Sequence, residues 1–150
     1  MSSTEFQAGN PDYAEIVRAS FARQGLMRTL GARIVELGPG RCVIEMEYAE
    51  GISQQQGFFH GGAVGAIADN ACGYAAFSLM PAGSEILTVE YKINLIRPGL
   101  PPLLRAEGKV LRPGRTLTVC RAEVFHHVDG RREACALMQA TMMRVEPKAG

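Results

Sequence analysis

The chain has 150 residues, 47% hydrophobic and 21% charged, with a formal net charge of +1. Those values are ordinary for one soluble globular domain with room for a full core, and they leave out the clustered basic surface that a nucleic-acid partner requires. Four scattered cysteines, Cys42, Cys72, Cys120 and Cys135, lie in apolar contexts without a CxxC pair, which fits reduced core thiols in a cytosol and not a disulfide framework. The opening MSSTEFQAGN carries neither a basic nor an apolar signal region, so no export signal is expected and a cytoplasmic location is. Residues 1–10 and 147–150 are expected to be loose tails of a single domain covering 1–150.

In Asn10-Pro11-Asp12 the residue types of a helix start coincide, with Asn10 as N-cap and Pro11 at the first helical position. Tyr13, Ile16, Val17 and Phe21 make the apolar stripe of a short helix, and Gln24-Gly25 breaks it before a second turn holding Leu26, Met27 and Leu30. Segments 31–37 and 41–48 then flank Gly38-Pro39-Gly40, a hairpin signal. In the second of them Cys42, Ile44, Met46 and Tyr48 alternate with Val43, Glu45 and Glu47, which gives one apolar and one partly solvated face.

The stretch 54–79, QQQGFFHGGAVGAIADNACGYAAFSL, dominates the middle of the chain. From Gly61 to Ser84 the one charged residue is Asp69. Apolar residues recur at 64, 67, 68, 71, 72, 75, 76 and 79, the spacing of a helix with a face in a core, and the other side is small enough for burial nearly all round. Asp69 and Asn70, the glycines and Pro81 argue against a membrane span. A carboxylate in such a helix needs a reason, because an unpaired buried charge is expensive. Ahead of it, His60-Gly61-Gly62 leaves backbone amides uncovered at a helix N-terminus, where negative charge is favoured.

Beyond Pro81-Ala82-Gly83, residues 85–97 alternate, with Leu87, Val89, Tyr91, Ile93 and Leu95 expected on one face and Thr88, Glu90, Lys92 and Asn94 on the other. Segments 103–111, 116–128 and 132–145 read as three more strands, divided by Pro113-Gly114-Arg115 and Asp129-Gly130. Two strands, one long helix and four consecutive strands exclude βαβ alternation. They specify an α+β domain in which an antiparallel sheet wraps around the helix.

The combination Gln54, Gly57, His60-Gly61-Gly62 and Asp69, followed by these strands, resembles the signature of the PaaI-like acyl-CoA thioesterases of the hotdog-fold superfamily, over roughly residues 30–145. The resemblance implies hydrolysis of an acyl- or aryl-CoA to a carboxylic acid and coenzyme A, with no metal or redox cofactor. It places the thioester carbonyl on the Gly61 amide and makes Asp69 the general base or, alternatively, a nucleophile. Gln54 corresponds to an amide that positions the thioester or the attacking water, and Thr88 to a hydroxyl that holds water near the acid. His60 is expected to order the loop by hydrogen bonding and not to act as the base.

Thioester hydrolysis needs both a group that activates water and donors at the developing oxyanion. Asp69 follows Gly61 by eight residues, roughly 12 Å along a helix, so one thioester carbon cannot meet both groups of one helix. The resemblance resolves this by a homodimer, one subunit giving the Gly61 loop and the other Asp69, with a dimer of dimers as a further possibility. Phe58, Phe59, Tyr74 and the N-terminal helices are expected to line the substrate tunnel. Arg97, Arg112, Arg115, Arg131 and Arg132 lie near turns within reach of coenzyme A phosphates, and none is singled out.

Competing chemistries find less support. There is no GxSxG for a serine triad, Cys72 has no base partner, and His126 and His127 point to opposite strand faces without further metal ligands. An enoyl-thioester hydratase and a non-catalytic acyl-CoA-binding module remain as alternatives.

Overall fold

A computed structural model of the chain describes residues 5–147. Two short helices, α1 (Tyr13–Ala22) and α2 (Gly25–Leu30), precede strands β1 (Arg33–Gly38) and β2 (Arg41–Glu47). The long helix α3 (Gly61–Phe77) follows, and then β3 (Glu85–Leu95), β4 (Leu103–Arg112), β5 (Leu117–Val128) and β6 (Arg131–Val145). All strand pairs are antiparallel and form one sheet in the order β1-β2-β4-β5-β6-β3. The sheet wraps α3, which is the α+β architecture expected.

Close approach of sheet and helix depends on small residues. A Cβ at Gly108 of β4 would fall 2.3 Å from the backbone of Ala71, so glycine is what lets the strand lie against α3. Val64, Ile67, Ala68, Ala71, Cys72, Ala75 and Ala76 of α3 are buried, while a stripe of Gly62, Ala66, Asp69, Asn70 and Gly73 stays at least partly open. The helix is therefore covered on all sides but one, and Asp69 lies on that side. The four cysteines are free and buried. Burial pushes the thiols of Cys42 and Cys120 up to about 12 and that of Cys135 up to about 11, which makes them inert at neutral pH.

The structure corrects three local expectations. Helix α1 begins at Tyr13, because Asn10 Oδ1 accepts the Asp12 N–H at 3.0 Å and so closes a turn ahead of the helix instead of capping it. Strand β1 begins at Arg33, since Gly31 takes the left-handed conformation (φ 64°) that ends α2. Residues 1–4 and 148–150 of the expected tails lie outside the described residues. Gly9 N–H donates to Ser78 O at 3.0 Å and Phe6 packs on the core.

The third correction concerns β3. Thr88 pairs with Met142 and Glu90 with Thr141 of β6, leaving Val89 as an extra residue. This bulge reverses the alternation. Thr88 before it and Tyr91, Ile93 and Leu95 after it all face α3, whereas Glu90 bonds Thr141 and Lys92 bonds Asn94 on the outer face.

Candidate active site

The loop entering α3 is tightly held. Gln54 N–H donates to Phe58 O at 2.9 Å, Phe59 N–H to Gly99 O at 3.0 Å and His60 N–H to Ile52 O at 2.9 Å, while Gly57 has φ 81°. His60 is the N-cap, with φ −64° and ψ 136°. Its Nδ1 accepts the Gly62 N–H at 2.8 Å and its carbonyl accepts the N–H groups of Ala63 and Val64 at 3.0 Å. The amide of Gly61 is the first of the helix and has no acceptor among the described residues. A free N–H at the positive end of the helix dipole is a ready donor for an oxyanion.

Gln54 is in the same loop, but its side chain is engaged there. Gln54 Oε1 accepts the N–H groups of Gln56 and Phe58, and Nε2 donates to Gln56 Oε1 at 3.1 Å. Gln54, Phe58, Phe59, Gly61, Leu95 and Arg97 line one cleft of about 380 Å³.

Asp69 opens into a different cleft of about 250 Å³, shared with Asn70, Tyr74, Thr88 and Met142. Thr88 Oγ1 donates to Asp69 Oδ1 at 2.8 Å. Burial raises the Asp69 pKa above the ordinary carboxylate value, and the Thr88 bond offsets part of that rise. Sequence alone assigns no chemistry to α1, yet Ser20 and the adjoining Gln24 reach this cleft. Gln24 Nε2 donates to Tyr74 Oη at 2.8 Å, and Ser20 Oγ lies 3.1 Å from the same oxygen. A polar Ser20 in the helix and Gln24 just past its end were the available signal.

Within one chain, then, Gly61 and Gln54 line one cleft, with His60 capping the helix next to Gly61, and Asp69 and Thr88 line another. The expected tunnel residues divide in the same way, Phe58 and Phe59 with Gly61, Tyr74 with Asp69. Of the arginines near turns, Arg97 borders the Gly61 cleft and donates to Ala134 O at 3.0 Å, while Arg132 is taken up by Glu123 at 2.6 Å and the Phe125 ring at 3.5 Å. His126 and His127 line neither cleft. No helix of the described residues is long and apolar enough to cross a membrane.

Comparison with known proteins agrees with this fold. The pattern of the thioesterase superfamily matches residues 56–132. A crystal structure of a thioesterase family protein from Silicibacter pomeroyi superposes with a TM-score of 0.87 at 47% identity, covering 90% of this chain and 99% of that one. PaaI from the phenylacetic acid degradation operon of E. coli shares the fold, with a TM-score of 0.79 at 23% identity over 89% of this chain and 94% of that chain. The 1,4-dihydroxy-2-naphthoyl-CoA hydrolase of Listeria monocytogenes is 24% identical over 105 residues, 70% of this chain and 85% of the relative. The chain belongs to the thioesterase superfamily and has the hotdog fold. Its activity is thioester hydrolysis.

Proposed function

We propose that this protein hydrolyses acyl-CoA thioesters at sites built across a homodimer, each site taking the Gly61 amide from one subunit and Asp69 from the other. The observation that carries this reading is the separation of Gly61 and Asp69 into two clefts of a single chain. The free edge of the sheet supports it. Among the described residues, strand β3 is bonded to β6 on one side and to no other strand, and Leu87, Val89, Tyr91 and Leu95 are each about half exposed in one chain. A long edge strand with apolar side chains is a surface for pairing with a second copy. The opposite edge, β1, is short, bulged and held in charge pairs through Arg33 and Glu36.

In this mechanism the thioester carbonyl oxygen lies at the Gly61 N–H. Asp69, with its pKa raised by burial, takes a proton from water as that water attacks the carbonyl carbon, and Thr88 holds the carboxylate in place. The tetrahedral oxyanion is stabilised by the Gly61 donor, then collapses and expels the thiolate of coenzyme A, leaving a carboxylic acid. His60 serves the oxyanion site indirectly, by taking up the Gly62 amide and fixing the first helical turn. The two groups supply base and donor, so the reading invokes no cofactor, and a coenzyme A substrate together with buried free thiols suits a cytoplasmic enzyme. That the leaving group is coenzyme A is supported by the activity named for the Listeria relative.

Thiol release from a panel of aryl- and acyl-CoAs, followed with a disulfide reagent, tests the reading. Turnover by the wild-type protein that is lost in a folded, dimeric Asp69→Ala variant is expected. Tight acyl-CoA binding without turnover on any member of the panel would overturn it in favour of a binding module.

A further inference from the structure

We propose that the acyl group this protein accepts carries a hydroxyl, recognised in the Asp69 cleft by the side chains of Ser20, Gln24 and Tyr74. This rests on the thioesterase reading above, and it names a substrate class and the residues that select it.

In the cross-dimer site the thioester carbonyl lies at Gly61 of one subunit, so the acyl group extends into the Asp69 cleft of the other. Ser20 of α1 and Gln24, between α1 and α2, meet Tyr74 of α3 at that cleft. Tyr74 is only 3% exposed. Burial raises the pKa of its phenol above the ordinary value, so the group keeps its proton. Tyr74 follows Asp69 by five residues, roughly 7.5 Å along a helix, which sets this polar wall at the far end of a short acyl group.

Counting donors and acceptors gives what the three side chains leave unspent. Gln24 Nε2 donates to Tyr74 Oη at 2.8 Å, and Ser20 Oγ lies 3.1 Å from the same oxygen. Whichever hydroxyl donates, one proton is used between Ser20 and Tyr74. The other has no acceptor among the described residues. Gln24 Oε1 accepts no hydrogen bond among them either, and it is not sealed from the cleft.

The wall therefore offers one O–H donor and one amide acceptor. A hydroxyl satisfies both, accepting from the first and donating to the second. A ketone uses only the donor, an ammonium only the acceptor, and a methyl neither. A carboxylate is opposed by Asp69 and Glu85, and the described lining of the cleft holds no lysine or arginine. An apolar acyl group packed against this wall leaves its polar atoms unpaired, which is how a site built for a hydroxyl rejects the analogue that lacks one.

Two matched pairs of thioesters test this, each exchanging hydroxyl for methyl at constant length. They are ω-hydroxyhexanoyl-CoA against heptanoyl-CoA, and para-hydroxybenzoyl-CoA against para-methylbenzoyl-CoA. The wild type is expected to favour the hydroxyl member of at least one pair by about tenfold or more in kcat/KM. Gln24→Met removes the acceptor, and Ser20→Ala combined with Tyr74→Phe removes both hydroxyls. Each change is expected to bring the ratio toward one by slowing the hydroxyl substrate and not the methyl one, whereas a damaged fold slows both alike. A wild type with no preference in either pair, or a ratio that survives in either variant, would overturn the inference while leaving thioester hydrolysis standing. Calorimetric titration of Asp69→Asn repeats the comparison without turnover, and the hydroxyl member is expected to bind about tenfold tighter. That preference beside a wild type that hydrolyses nothing would keep the recognition and reject the thioesterase reading. Equal binding within both pairs would overturn the recognition itself.

Discussion

Thr88 Oγ1 donates a 2.8 Å hydrogen bond to Asp69 Oδ1, so the edge strand holds the acid of the central helix. Burial raises the pKa of that carboxyl and the Thr88 bond lowers it. Asp69 must be ionised to accept a proton, so kcat/KM falls as the pH drops through its pKa, and the acid limb lies above the ordinary carboxylate range. Thr88→Val removes the lowering influence. The limb is expected to move to higher pH in that variant, and a pH profile that stays in place would deny Thr88 this role.

Asp69→Asn separates catalysis from stability. Activity is expected to fall by about 10²–10⁴-fold, the usual contribution of a positioned general base. The folded-state pKa of Asp69 is above its unfolded value of 3.8, so the folded protein holds this proton more tightly. Ionising Asp69 therefore costs no stability below that value and its full cost above the folded-state pKa. The variant is expected to melt at a higher temperature than the wild type at pH 7, with the difference shrinking toward pH 3. Thermal melts at the two pH values check the sign.

Gly61→Pro deletes the proposed oxyanion donor while suiting the backbone. Proline is favoured at the first helical position, and His60, at φ −64° and ψ 136°, already has the extended conformation required before proline. The helix is expected to persist by circular dichroism while kcat falls with a loss of about 2.7–4 kcal/mol of transition-state stabilisation. Gly61→Ala keeps the amide, and its Cβ would meet only the flexible end of Leu95. Most activity is expected to survive in that variant, and equal loss in both would remove the amide from the mechanism.

How much of the fold and site is legible in sequence depends on the residue. Asp69 stands out as the one charge from Gly61 to Ser84, and three-and-four spacing places α3 within a few residues of its bounds. The bulge at Val89 leaves no trace, because residues 87, 89, 91, 93 and 95 are all apolar and their alternation continues through it. Only pairing with β6 shows that Thr88 shares a face with Tyr91. Spacing also locates Gln54 but not its orientation. The left-handed Gly57 closes a turn in which the Gln54 amide meets its own loop. At Asn10 the same side chain serves an N-cap or a turn two residues long, and sequence does not distinguish them.

Mixing two inactive variants tests whether the site spans two subunits. In a heterodimer of Asp69→Asn and Gly61→Pro chains, one site combines the intact Gly61 of the first with the intact Asp69 of the second, and the other site is doubly defective. After co-refolding at equal amounts, with chains assorting freely into symmetric and mixed dimers, about a quarter of the wild-type activity is expected from proteins that are inactive alone. A mixture as inactive as its components, although sedimentation shows heterodimers, would mean that Gly61 and Asp69 act within one chain and would contradict the cross-dimer site.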